Sequence, residues 1–83
     1  MKTALRRILC ESARLNVPVN SLADDADLYA AGLSSLATVH MMLEMEDEFE
    51  VEIPDHMLTR RLFSSIDSMA AAMTELRQAR SAA

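Results

Sequence analysis

Two adjacent serines, Ser34 and Ser35, follow the only glycine in the chain, Gly32, and open an unbroken helical pattern that runs to Phe49. Gly32 supplies a backbone that can turn sharply without steric cost. Ser34 suits an N-cap, because its hydroxyl can accept from an otherwise unpaired N–H of the first turn. Ser35 then becomes the first helical residue, with its hydroxyl near the positive end of the helix dipole. That end favours a phosphate group. A serine so placed suits carriage of a phosphodiester. For the dipeptide taken alone, two exposed serines capping a helix are the simpler account.

The elements that would position this pair follow from apolar spacing. Leu5, Ile8, Leu9, Ser12 and Leu15 recur at helical intervals, predicting helix I over about 3–15, ended by Asn16 and Pro18. The connection to Ser34 is long, yet Val17, Val19, Leu22, Leu28, Tyr29 and Leu33 can anchor it across a bundle. Helix II should run over about 35–50 with Ser34 as its cap. One of its faces carries Thr38, Met41, Met42, Met45 and Phe49, and Leu36, Val39 and Leu43 lie nearly opposite. The second stripe is either buried against the loop or kept free to dock a partner. Pro54 and Asp55 begin a short helix III over about 55–61. Ser64 with Asp67 gives a capping-box-like start to helix IV over about 65–78, and the tail beyond Arg77 is expected to fray.

Composition agrees with an all-α domain. The 83 residues form one unit, in which roughly 60% of the unfolded surface is expected to be buried. Only Phe49, Phe63 and Tyr29 are aromatic, so the core must be aliphatic and filled in part by the seven methionines. The expected core holds Leu5, Ile8, Leu9, Met41, Met42, Met45, Phe49, Met69 and Met73. A net charge of −5 argues against nucleic acid and anionic membranes, and favours basic protein partners. Cys10 is the sole cysteine, which excludes an internal disulfide or cysteine metal cluster, and it is expected in the core. The apolar run at the N-terminus is too short for a signal peptide, and no stretch could span a membrane, so a cytoplasmic monomer is expected. Asp24, Asp25 and Asp27 do not make a calcium loop, because Tyr29 stands where an oxygen ligand is needed. They are expected to form a solvated acidic loop. His40 and His56 are expected on the surface, and no metal site is expected.

Leu28, Gly32-Leu33, Ser35-Leu36 and Val39, with Glu48-Phe49 and Ile53-Pro54 downstream, resemble the phosphopantetheine attachment motif and later landmarks of acyl carrier proteins. The likeness covers nearly the whole chain. It departs at Ser34, where the family usually has Asp. It implies a four-helix bundle with a long loop between helices I and II and a short helix III. It also implies 4'-phosphopantetheine on Ser35, with Ser34 as the cap of helix II. Leu36, Val39, Leu43, Glu46, Asp47 and Glu50 would meet partner enzymes. Ala37 and His40 stand where the fatty-acid-synthesis carriers are acidic. The stretch Tyr29 to Ser35 is similar to the aminoacyl carrier proteins, which implies loading with a small amino acid such as glycine or alanine. The implied partners are a phosphopantetheinyl transferase, a seryl-tRNA-synthetase-like amino acid:carrier protein ligase or other acyl-loading enzyme, and a downstream acyl or aminoacyl acceptor enzyme.

Two alternatives stand beside this. One is an ordinary acyl carrier for fatty-acyl, lipid or polyketide intermediates. The other is an unmodified helical interaction domain that docks a partner on its exposed stripe. An enzyme is not expected, since no nucleophile–base pair or phosphate-cradling glycine loop can be assembled. Arg60 and Arg61 could pair with nearby acids or hold a phosphate near Ser35, and the sequence leaves both roles open.

Overall fold

The computed structural model describes residues 1–82. These form three α-helices: α1, Lys2–Ser12; α2, Ser35–Phe49; and α3, Ile66–Ala82. Single 3-10 turns at Val19–Ser21 and Asp55–Met57 punctuate the two connections. No strand occurs among the described residues. Helix α1 packs against both α2 and α3.

The core follows the apolar spacing closely. Leu5, Ile8, Leu9, Met41, Met45, Phe49, Met69 and Met73 are all buried, joined by Leu28, Leu33, Ile53, Leu62, Phe63 and Ile66. Met42, expected among them, is only half-buried at the edge. Cys10 is a clear correction, because its side chain is exposed. It lies one position past Leu9, and about 100° of helical rotation carries it off the buried stripe.

Four boundaries differ from expectation. Helix α1 stops at Ser12 rather than near Leu15. Ala13 is already extended, and the Asn16 N–H donates across the loop to the Ala31 carbonyl at 2.8 Å, away from α1. Helix III shrinks to the turn Asp55–Met57, because Leu58 leaves helical geometry at ψ 71°. Beyond it Leu62 and Phe63 are both buried and join the core. The cap of α3 is Ser65, not Ser64: the buried Ser65 Oγ accepts the Ser68 N–H at 3.0 Å. The Ser64 carbonyl instead accepts the Leu28 N–H at 2.8 Å. Helix α3 also continues past Arg77, and Arg80 donates to the Glu50 carbonyl at the end of α2.

The acidic loop is engaged rather than merely solvated. Arg6, half-buried on α1, donates through Nη1 to the Val19 carbonyl at 2.8 Å. Its Nη2 donates to the Leu22 carbonyl at 2.8 Å and to Asp24 Oδ1 at 2.7 Å. Lys2 joins Asp24 at 3.1 Å and Asp67 at 2.7 Å, so α1, the loop and α3 share one charged cluster. The loop backbone adds a direct bond, from the Asp67 N–H to the Asp24 carbonyl at 2.9 Å.

These contacts shift two titrations. Hydrogen bonds from Arg6 and then Lys2 hold the Asp24 carboxyl below its ordinary value. Hydrogen bonds to Asp67 and then Asp24 hold the Lys2 ammonium above its own. The lowered Asp24 value means its stabilisation is present above the unfolded pKa and fades as pH falls through the folded one. Lys2 behaves oppositely, its share fading as pH rises through a folded value above 10.5.

Carbon-detected NMR should therefore find Asp24 titrating below 3.8, with Arg6→Ala moving the midpoint upward. An unshifted midpoint in the wild type would remove the cluster. Phe49→Ala should cost about 3–5 kcal/mol in chemical denaturation. A loss below about 1 kcal/mol would exclude Phe49 from the core.

Candidate functional site

A short, highly constrained loop delivers the serine pair. Asp27 Oδ1 accepts the N–H groups of Tyr29 at 3.0 Å and Ala30 at 3.3 Å, starting a tight turn. The turn closes when the Gly32 N–H donates to the Tyr29 carbonyl at 3.1 Å and the Leu33 N–H to the Leu28 carbonyl at 3.0 Å. Leu28 and Leu33 are both buried and anchor its two ends. Gly32 sits at φ 107°, a conformation that L side chains rarely adopt. A Cβ there would also stand 3.1 Å from Asn16 Nδ2. The positive φ favours glycine here, and a side chain would also oblige Asn16 to shift by a few tenths of an ångström.

The two serines then divide their roles. Ser34 is the N-cap of α2, with extended backbone at φ −94° and ψ 160°. Its Oγ accepts the Ala37 N–H at 3.1 Å, and its carbonyl accepts the Thr38 N–H at 3.2 Å. Ser35 is the first helical residue and its side chain is exposed. No group among the described residues hydrogen-bonds its Oγ. The Ser35 carbonyl is already used by Thr38 Oγ1, at 2.6 Å. The N–H groups of Ser35 and Leu36 precede the first capped donor and face out of the helix start.

A cleft of about 320 Å³ opens beside Ser35. Helix α2 gives one wall through Thr38, Val39 and Met42, and the segment from Leu58 to Phe63 gives the other. The Arg60 guanidinium lies over the Tyr29 ring, 3.8 Å from its centroid, and both residues line the cleft. This separates the two basic residues that the sequence leaves ambiguous. Arg61 lines a different depression with Met57, Leu62 and Glu75, so only Arg60 shares a cleft with Ser35. The Arg60–Tyr29 stack is invisible to pattern reading, although an aromatic and a cation flanking one loop pair were its available signal.

The second stripe of α2 is open. Leu36 is 70% exposed, Val39 50% and Leu43 54%, against full burial of Met41 and Met45. Ala37, which the sequence resemblance sets where fatty-acid-synthesis carriers are acidic, is buried and belongs to the core. Asp47 is exposed. Glu46 is less free, because its Oε2 accepts the Ile53 N–H at 2.8 Å. Glu50 keeps an exposed side chain but its backbone is left-handed, at φ 53° and ψ 47°. Its N–H and that of Val51 both return to the Glu46 carbonyl, closing the C-terminus of α2.

Other candidates do not converge. His40 is exposed beside Glu44, Glu11 and Ser12. Among the described residues no cluster of three or more His, Cys, Asp or Glu could hold a metal ion. No helix among them is long and apolar enough to cross a membrane.

Residues 3–73 match the family described as the phosphopantetheine attachment site. The chain is 48% identical over 69 residues to the aminoacyl carrier protein of Agrobacterium fabrum strain C58, covering 83% of each chain. It superposes with a TM-score of 0.86 and 44% identity on a chain of a crystal complex. That complex joins an engineered Bradyrhizobium japonicum glycine:[carrier protein] ligase to a carrier protein from Agrobacterium tumefaciens and AMP. The match covers 89% of this chain and 99% of the other. A solution structure of an Agrobacterium tumefaciens protein matches along all of both chains, with a TM-score of 0.78 and 42% identity. The exposed first-turn serine, its cap and these likenesses converge: the chain belongs to the phosphopantetheine-bearing carrier proteins, and among them to the aminoacyl carriers.

Proposed function

We propose that this carrier holds a small aminoacyl group, glycine foremost, on 4'-phosphopantetheine attached to Ser35. The observation that carries the choice of serine is the contrast between the two hydroxyls. Both side chains are exposed, but Ser34 Oγ accepts the Ala37 N–H of the next turn, whereas Ser35 Oγ has no partner among the described residues. The first-turn N–H groups and the dipole end favour the negative phosphodiester that attachment would create there. The residues at this position therefore fit the group. When bound, the group supplies a terminal thiol that carries the cargo as a thioester. The chain's own part is to present, orient and deliver it, without catalysing the chemistry.

Glycine as cargo is supported by the ligase named in the crystal complex, a glycine:[carrier protein] ligase. The partners in this scheme are a phosphopantetheinyl transferase, an amino acid:carrier protein ligase and a downstream aminoacyl acceptor enzyme. All would meet a monomeric carrier in the cytoplasm. Leu36, Val39 and Leu43 would supply apolar contact at the docking face, and Asp47 with the Glu50 side chain the charge that steers a basic partner. Glu46, whose Oε2 also accepts the Ile53 N–H, would add to that charge from a more fixed position.

Incubation of the holo-protein with ATP, amino acids and a glycine:carrier protein ligase should give a glycyl adduct by intact mass. Ready acceptance of malonyl or fatty-acyl groups, with no aminoacyl adduct, would favour the ordinary acyl carrier instead. Ser34→Ala should still be modified but lose about 0.5–2 kcal/mol of stability. Ser35→Ala should remain unmodified with an unchanged fold. Asp47→Lys should slow ligase association and weaken its salt dependence, whereas Leu43→Ala should reduce loading at unchanged helicity. If neither substitution alters loading, the open stripe of α2 is not the recognition surface.

A further inference from the structure

Among the described residues the guanidinium groups of Arg14, Arg60, Arg61 and Arg77 have no carboxylate or carbonyl partner, and of these Arg60 is the one that lies over an aromatic ring and lines the cleft with Ser35. Lys2, Arg6 and Arg7 each meet a carboxylate, and Arg80 donates to the Glu50 carbonyl. Among the described residues no carboxylate pairs with Arg60, although the chain carries 13 acidic residues and a net charge of −5. Its guanidinium instead lies over the Tyr29 ring, 3.8 Å from the centroid. Such stacking orients the plane while leaving the N–H donors at its edge available to a second group. The backbone that carries Tyr29 is in turn fixed, since its N–H donates to Asp27 and its carbonyl accepts from Gly32.

The cleft bearing this unpaired cation also bears Ser35. Its lining combines the hydroxyl-bearing Thr38 and Thr59 with apolar surface at Val39, Met42 and Leu58. A phosphodiester followed by a geminal dimethyl group, a hydroxyl and amides offers a counterpart to each of these: charge for Arg60, apolar bulk for Val39, Met42 and Leu58, and hydrogen-bonding groups for the threonines. We infer that Arg60, stacked on Tyr29, is a positioning residue that pairs with the phosphodiester at the root of the prosthetic arm and directs the arm along this cleft. This rests on attachment at Ser35. Guanidinium matches phosphate through paired N–H donors, which Lys cannot reproduce. The pairing is exposed at the cleft mouth, so salt should weaken it.

The test uses holo-protein whose single modification on Ser35 is first verified by peptide mass. A failure of that step strikes the attachment itself and is recognised separately. Isotope-filtered NMR should then show contacts from the geminal methyls of the arm to Val39 and Leu58. The Arg60 Nε–H and the phosphorus resonances should both shift between wild-type holo-protein and its references, apo-protein and Arg60→Gln respectively. Arg60→Gln and Tyr29→Leu, with unchanged amide spectra elsewhere, should lose the methyl contacts. Arg60→Lys should retain only a fraction of them, and raising salt to about 1 M, where the Debye length is about 3 Å, should weaken them in the wild type. Absence of the contacts in verified wild-type holo-protein overturns the inference. So does their persistence at full intensity in Arg60→Gln.

Discussion

The burial of Leu28 fixes where the functional end of the bundle lies. The loop from Ala13 to Ser34 contains only one 3-10 turn, so it lacks the internal ladder that would hold a longer element in place. Leu28 is fully buried, its N–H is tied to the Ser64 carbonyl, and its own carbonyl accepts from Leu33. Burial of a leucine contributes roughly 1.5–3 kcal/mol, enough to decide among the conformations of a short loop. Once Leu28 is seated, Asp27 starts the turn, Gly32 reverses the chain, and Ser34 caps α2. Tyr29, next in sequence, is left at the rim, where it supports Arg60. The same anchor thus sets both walls of the region around Ser35.

Helix α2 serves two surfaces because its apolar residues fall on opposite sides of the wheel. Met41, Met45 and Phe49 close the core, and Leu36, Val39 and Leu43 face out. An exposed apolar strip lowers solubility in isolation, and the surrounding acids offset this by keeping the surface charged. The end of the helix carries a further constraint, since a non-glycine residue occupies the left-handed cap. The cost of placing Glu50 there, on the order of 1 kcal/mol, is offset by bonds to the Glu46 carbonyl and from Arg80. That arrangement extends α3 to meet α2 and ties the far end of the bundle.

Much of this is legible in residue order because helical burial obeys a period. The stripes of α1 and α2, the Ser34 cap and the role of Gly32 each follow from one residue type at one spacing. The remainder depends on partners distant in sequence. Ser65 displaces Ser64 as a cap because the Ser64 carbonyl is committed to Leu28, 36 residues away by numbering. Asp24 binds Arg6 across the loop, a pairing that no local pattern marks. The third helix is cut to Asp55–Met57 where Leu58 leaves helical geometry, and the segment that follows carries Leu62 and Phe63 into the core. Arg60 and Tyr29 meet only after both connections have folded.

The division between the two serines is the centre of the account, and it is open to a direct measurement. Wild-type protein modified by a phosphopantetheinyl transferase can be digested and its peptides fragmented to locate the phosphodiester residue by residue. The account predicts the group on Ser35 alone, with Ser34 unmodified in every fragment series. Finding it on Ser34, or distributed between the two, would contradict the assignment of one hydroxyl to the helix and the other to the cargo.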